Sequence, residues 1–122
     1  GTDHAPHADP EKIGTDYAHA AMGMSGSEFA FPATWELVRA GHIEASELVR
    51  LWTAAPASIF GLDRGTLSVG KVADVTVWDP NVQWVVNRDT IRSKSVNTPL
   101  IGMTLRGRAE RTFIGGEEAY RA

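Results

Sequence analysis

No cysteine occurs among the 122 residues, which excludes a disulfide framework and any thiolate zinc site. A metal bound by this chain would take His, Asp or Glu as ligands. Positive charge is not in excess either. Lys and Arg number 12 against 15 Asp and Glu, for a formal net charge of −3. That balance provides neither a basic stripe for nucleic acid nor a polybasic patch for an anionic membrane surface. No apolar run approaches the roughly 20 residues that a membrane-spanning helix needs, and no signal-peptide pattern is visible. An initiator Met is also missing from the opening Gly1-Thr2-Asp3-His4-Ala5-Pro6-His7. Termini usually fray and carry little function. A segment so dense in ionisable groups at a terminus leads to the expectation that further residues belong upstream.

What is present has a globular character. Hydrophobic residues make up 43% and charged residues 22%, enough to form a core and too little charge for a disordered chain. Residues 1–31 show no sustained period and read as a long loop rich in Ala, Gly, His and Asp, of the kind that is usually functional or disordered. Helical signals follow. Pro32 suits a first helical position, Trp35, Leu37 and Val38 supply apolar surface, and Gly41 is a natural stop. A second helix is predicted with Ser46 as N-cap, because Leu48, Leu51, Trp52 and Ala55 fall on one face. Pro56 is expected to break or restart it, with one more short turn at Ala57 to Phe60 closed by Gly61.

From Gly65 the period becomes two. Ala73, Val75 and Val77 alternate with Asp74, Thr76 and Trp78, and Asp79-Pro80 is expected to end that strand. Val82 to Val86, Met103 to Ala109 and Arg111 to Ile114 read as three more strands, with Gly115-Gly116 as a hairpin turn before Glu117 to Tyr120. These strands do not complete a sandwich, so the tail is expected to pair with strands supplied from elsewhere.

Asp3, His4 and His7 lie within five positions, and a carboxylate beside imidazoles suits a cation such as zinc. The same residues also describe a solvated, His-containing terminus, and spacing alone does not choose. His42, just after Gly41, reads as a partly exposed helix-cap residue, and His19 as a solvated loop residue. Gly23-Met24-Ser25-Gly26 reads either as a backbone loop that approaches a ligand or as a flexible loop. Glu44, Glu47 and Arg50 mark a solvated helix face.

Thr2-Asp3-His4-Ala5-Pro6-His7 resembles the T-D-H-A-P-H motif of class I dihydroorotases. Ala20 to Glu28 is similar to that family's A-P-x-G-x-x-G-x-E segment. Ser93-Lys94-Ser95 with Asn97-Thr98-Pro99 and Gly102 is again similar. Pro56-Ala57 with Ile59-Phe60-Gly61-Leu62 resembles the stretch before the family's final β region. Gly65-x-Leu67-x-x-Gly70-x-x-Ala73-Asp74 is common to many amidohydrolases.

The resemblance implies an α/β fold: the C-terminal fragment of a (β/α)8 TIM barrel plus its small composite β-sandwich. Residues 1–62 would form the end of the barrel and 63–122 the C-terminal part of the sandwich. It implies a cytoplasmic, zinc-dependent enzyme that interconverts N-carbamoyl-L-aspartate and dihydroorotate in pyrimidine biosynthesis. The activity would belong to the complete polypeptide, with the fragment inactive alone. Asp3 would be a metal ligand and the general base and acid, passing a proton from the attacking water to the amide nitrogen. His7 would bind the substrate carboxylate, and backbone groups around Ala21 and Gly23 the ring. One or two zinc ions would take their other ligands from outside this chain: a His-x-His, a carbamylated Lys and two further His. Ala21 departs from the family's Pro, and Ser27 and Phe29 from its more usual Leu and Thr.

Implied partners are the small-molecule substrate, the remainder of the same polypeptide, and either another copy of the protein or aspartate carbamoyltransferase. Nucleic acid and membrane are not among them. Two other readings stay open. One is a hydantoinase- or allantoinase-type cyclic amidase, whose counterpart motif usually lacks the second His. The other is a non-catalytic homologue that scaffolds aspartate carbamoyltransferase.

Overall fold

The computed structural model describes residues 1–122. Three helices precede three strands: α1 (Ala30–Arg39), α2 (Ala45–Trp52), α3 (Ala54–Ile59), β1 (Val75–Val85), β2 (Thr104–Ile114) and β3 (Glu117–Arg121). The long opening loop contains one turn of 3-10 helix at Asp9–Glu11, capped where the Ala8 N–H donates to Glu11 Oε2 at 2.8 Å. Two compact units are built from interleaved stretches. One comprises residues 1–33 and 83–105, the other 34–82 and 106–122.

The helix ends follow their glycines. At the end of α1, Gly41 takes φ 74°, its N–H donates to Val38 O at 3.0 Å, and the His42 N–H donates to Leu37 O at 2.9 Å. This is a Schellman closure, and it makes His42 the cap residue that its position predicts. The end of α3 repeats the arrangement, with the Leu62 N–H donating to Ala57 O at 2.8 Å beyond Gly61.

The helix starts differ from expectation. Pro32 is the third residue of α1, not the first, and lies buried. The first-turn N–H groups of a helix have no intrahelical acceptor, so proline is tolerated there as well as at the first position. The same rule places Pro56 inside the first turn of α3. The break between α2 and α3 falls at Thr53, whose φ −128° and ψ −83° leave the helical region. Glu44, not Ser46, stands at the N-cap of α2. Leu48 is buried at 2% exposure while Leu51 is 47% exposed, so the predicted apolar face is only partly covered.

The strands are fewer and longer than expected. Asp79-Pro80 does not end a strand but lies within β1. The sheet order is β1-β2-β3, so β1 is an edge strand, where proline's missing donor is tolerated. Asp79 Oδ1 accepts the Asn81 N–H at 2.7 Å across that proline. The two strands expected around Glu110 are one, β2, with a bulge at Thr112/Phe113 that shifts its register to β3. Gly115 and Gly116, at φ 59° and 89°, make the two-residue hairpin turn. Beside it, the Gly115 N–H donates to Asp74 Oδ1 at 2.8 Å. This bond, with Arg64 next to it, holds the Asp74 carboxyl below its ordinary pKa.

The principal core cluster belongs to the first unit. Phe29, Val86, Ile91 and Leu105 are buried together, with Trp84, Val96 and Leu100 packed against them. Phe29 and Trp84 stack with ring centroids 6.1 Å apart. Large apolar side chains are also left in the open, among them Ile59 (79% exposed), Phe60 (75%) and Leu67 (83%).

On the β2–β3 hairpin, Glu118 is gripped by Arg121 and Arg111, and Arg111 also lies over the Phe113 ring at 5.1 Å. Hydrogen bonds from Arg121 and then Arg111 lower the Glu118 pKa from 4.5 to about 2. A carboxyl with a depressed folded pKa stabilises fully above its free pKa and loses that contribution as pH falls towards the folded value. Acid unfolding of the hairpin is therefore expected to include a Glu118-dependent component between about pH 4.5 and 2. Glu118→Gln should flatten that component in a circular-dichroism titration. An unchanged acid profile would show that the ion pairs contribute nothing there.

Candidate active site

The ionisable opening segment is held by the glycine-containing loop at residues 20–28. The Ala5 N–H donates to Met24 O at 2.9 Å, and His4 and Met24 form an isolated parallel bridge. Gly23 allows this approach. Its φ is 124°, and a Cβ there would stand 2.6 Å from Ala5 Cβ and 2.9 Å from Ala5 O. No side chain fits that space. Gly26 is also close to the segment, though less tightly, because a Cβ there would meet Thr2 O at 3.0 Å.

His4 braces the loop through its ring. Its Nδ1 accepts N–H groups from Gly26 at 3.0 Å and Ser27 at 3.2 Å, just before α1. An acceptor nitrogen carries no proton, so the neutral ring has its hydrogen on Nε2. His7 uses the opposite nitrogen. Its Nε2 lies 2.8 Å from the Met22 carbonyl, which only accepts, so Nε2 is the donor. His7 Nδ1 faces Glu11 Oε2 at 3.6 Å, too far for a hydrogen bond but within ion-pair range for a charged ring.

A third segment stitches the first two together. Ser95 Oγ donates to His7 O at 2.8 Å, and buried Ser25 donates through Oγ to Ser95 O at 3.0 Å. The Ser25 N–H donates to Asn97 O at 2.8 Å, and Asn97 Nδ2 donates to Gly23 O at 3.0 Å. Glu28, the last residue of the loop, accepts the N–H groups of Arg92 at 3.0 Å and Ser93 at 3.2 Å. Three of the stretches that carry the dihydroorotase resemblance thus converge in one unit.

Asp3 is exposed and adopts φ 45°, the single non-glycine residue with positive φ. Asp tolerates this left-handed region better than most residues. Held strain of this kind concentrates at functional sites. Its carboxylate makes no hydrogen bond or ion pair within the chain. No three His, Asp or Glu side chains of the chain cluster closely enough to hold a metal ion. Ala21 is tied by its N–H to Glu11 O at 3.1 Å. Proline at this position would lack that donor, which gives the departure at Ala21 a local consequence. His19 stays at the surface, paired with Asp16 at 2.7 Å.

The model of the amidohydrolase family matches residues 1–119. The chain belongs to the amidohydrolase family. Among curated relatives of this amidohydrolase are the dihydroorotase of Geobacter sp. strain M21, 44% identical over 121 residues, and that of Aquifex aeolicus, 42% identical over 120. These alignments cover 99% and 98% of the chain but 28% of each relative, so it spans little more than a quarter of their length. Among solved structures it resembles a D-hydantoinase (dihydropyrimidinase) from Thermus sp., with a TM-score of 0.88 at 25% identity, over 99% of this chain and 28% of that one. A dihydropyrimidinase from Brevibacillus agri gives a TM-score of 0.81 at 27% identity, over 87% and 24%.

Sequence reasoning singled out Asp3, His7, Ala21 and Gly23 but not the residues that secure them. Ser25, Glu28, Ser95 and Asn97 lay inside the resembling segments, so their positions were a signal. Lys12 gave none: it donates to Gly23 O at 2.7 Å from a stretch without period.

Gly23→Ala should displace the loop from the opening segment. Backbone strain of this type costs about 1–3 kcal/mol, so amide exchange at Ala5 should quicken by roughly five- to a hundredfold. Unchanged exchange in a hydrogen–deuterium measurement would show that the close approach is not what holds the loop.

Proposed function

We propose that this amidohydrolase chain is the C-terminal portion of a zinc-dependent dihydroorotase. The complete polypeptide would interconvert N-carbamoyl-L-aspartate and dihydroorotate in pyrimidine biosynthesis, in the cytoplasm. The observation that carries the reading is the convergence of the Asp3–His7 segment, the Gly23 loop and the Ser95–Asn97 segment, held by Ser95→His7 and Asn97→Gly23 hydrogen bonds. Relatives named dihydroorotase at 44% and 42% identity support it. Residues 1–62 would close a (β/α)8 barrel, and residues 63–122 would complete a β-sandwich with strands from elsewhere in the polypeptide. The open apolar side chains Ile59, Phe60 and Leu67 are suited to such burial. Substrate, the rest of the polypeptide, and a second copy or aspartate carbamoyltransferase are the proposed partners.

In this reading Asp3 would hold zinc by its carboxylate, with the remaining ligands outside the chain. Bound zinc supplies positive charge that polarises the amide carbonyl and acidifies water. Asp3 takes the proton of the attacking water and delivers it to the ring amide nitrogen as the C–N bond breaks. His7 Nδ1 faces the substrate carboxylate. With Nε2 already donating to Met22, Nδ1 donates as well only in the imidazolium form. The free Gly23 N–H faces the ring.

A hydantoinase-type cyclic amidase is the second reading, favoured by the structural neighbours named hydantoinase and dihydropyrimidinase. A scaffold homologue would lack metal ligands, whereas Asp3 is present here. A His-x-His upstream would mark the enzyme.

Asp3→Asn in the complete protein should lower turnover by about 10²–10⁴-fold, with the fold kept because Asn tolerates the same backbone conformation. Turnover near wild type at matched zinc content would remove the proton-transfer role. His7→Ala should reduce kcat/KM for dihydroorotate by about ten- to more than a hundredfold, as expected for a hydrogen bond to a charged group worth roughly 1.5–3 kcal/mol. Hydrolysis of uncharged dihydrouracil should fall much less. Equal losses on both substrates would mean that His7 only braces the loop through Met22, and would favour the hydantoinase reading.

A further inference from the structure

Three successive carbonyls of the glycine loop are held from outside it. Met22 O accepts from His7 Nε2 at 2.8 Å, and Met24 O from the Ala5 N–H at 2.9 Å. Between them, Gly23 O accepts two donors: Lys12 Nζ at 2.7 Å and Asn97 Nδ2 at 3.0 Å. A carbonyl oxygen has two lone pairs, so its capacity is filled.

This arrangement answers a conflict built into the loop. Only glycine fits against Ala5, yet glycine is the residue least able to hold one backbone conformation. Fixing the carbonyl on either side of its Cα fixes both of its dihedral angles. The N–H of a trans peptide points opposite the preceding carbonyl. With Met22 O turned towards His7, the Gly23 N–H is aimed away from it and stays open. We propose that Lys12 and Asn97 are positioning residues that lock the Gly23 backbone, so that its N–H meets the carbonyl of a cyclic amide without an ordering cost on binding. The inference rests on the cyclic-amidase reading above.

Lys12 supplies a cationic donor on a flexible stem, and Asn97 a neutral donor on a short one. Asn97 is itself set by backbone bonds to Ser25 N–H and Ser95 Oγ, which a side-chain substitution leaves in place. Such a lock acts on substrate and transition state alike, so its loss should appear in KM rather than in kcat.

The test is steady-state kinetics on the full-length protein with dihydroorotate and dihydrouracil. Lys12→Met and Asn97→Ala should each raise KM for both substrates by about three- to tenfold, with kcat within about twofold of wild type. Lys12→Arg, which keeps a cationic donor, should return KM most of the way. A merely structural role would lower the active fraction, seen as a loss of kcat at constant KM, and that outcome overturns the proposal. So does wild-type KM in both variants. A full-length wild type that turns over neither substrate overturns the cyclic-amidase reading, and the proposal with it.

Discussion

Between Ala5 and Gly23 there is no room for a Cβ. A methyl group at position 23 would stand 2.6 Å from the Ala5 Cβ, inside any real contact. The rest of the candidate site depends on that approach. It lets the Ala5 N–H reach Met24 O and brings His7 against Met22 O. With Gly26 close to Thr2 as well, it also places His4 where one imidazole nitrogen takes the two N–H groups ahead of α1. The opening segment is thereby fixed by ring nitrogens and glycine backbone rather than by a regular element. Asp3 lies just before the residues so fixed, which is how an exposed residue comes to be held at φ 45°.

Where a local rule is strong, the sequence foretold the fold. Gly41 and Gly61 end helices because a Schellman closure needs a left-handed residue, and few others adopt one cheaply. Gly115-Gly116 makes the hairpin for the same reason. Proline is a less reliable guide, because its effect depends on whether a partner needed its N–H. Pro32 and Pro56 sit in first turns and Pro80 on an edge strand, so none of the three stops its element. That depends on hydrogen-bond neighbours, which for an edge strand are remote in sequence. The Thr53 break and the Thr112/Phe113 bulge have no comparable local signature.

The candidate site was legible in its motifs but not in the bonds that support it. Asp3, His7 and Gly23 were singled out by the motifs they stand in, and of these the close approach at Gly23 is seen in the structure. Lys12 and Asn97 are 11 and 74 residues from the carbonyl they share. Nothing in the spacing of a surface lysine and a loop asparagine says that they meet at one oxygen. Glu28 is similar: its carboxylate caps the backbone at Arg92 and Ser93, 64 and 65 residues away. Long-range side-chain-to-backbone bonds leave no periodic trace, because they are set by where two loops cross.

The two kinds of likeness, to dihydroorotases in sequence and to hydantoinases in shape, do not compete on equal terms. A TM-score of 0.88 at 25% identity reports the backbone path, and that path is what the glycines and the helix caps enforce. Substrates that differ by one carboxylate are told apart by individual donors, which a backbone match does not weigh. In the reading proposed above the relevant atom is His7 Nδ1. Its partner nitrogen is occupied by Met22, and Glu11 stands 3.6 Å away with its oxygen already accepting the Ala8 N–H. In the proposed reading a substrate carboxylate would be met by a donor at that nitrogen. An uncharged hydantoin or dihydropyrimidine would gain little from the same atom.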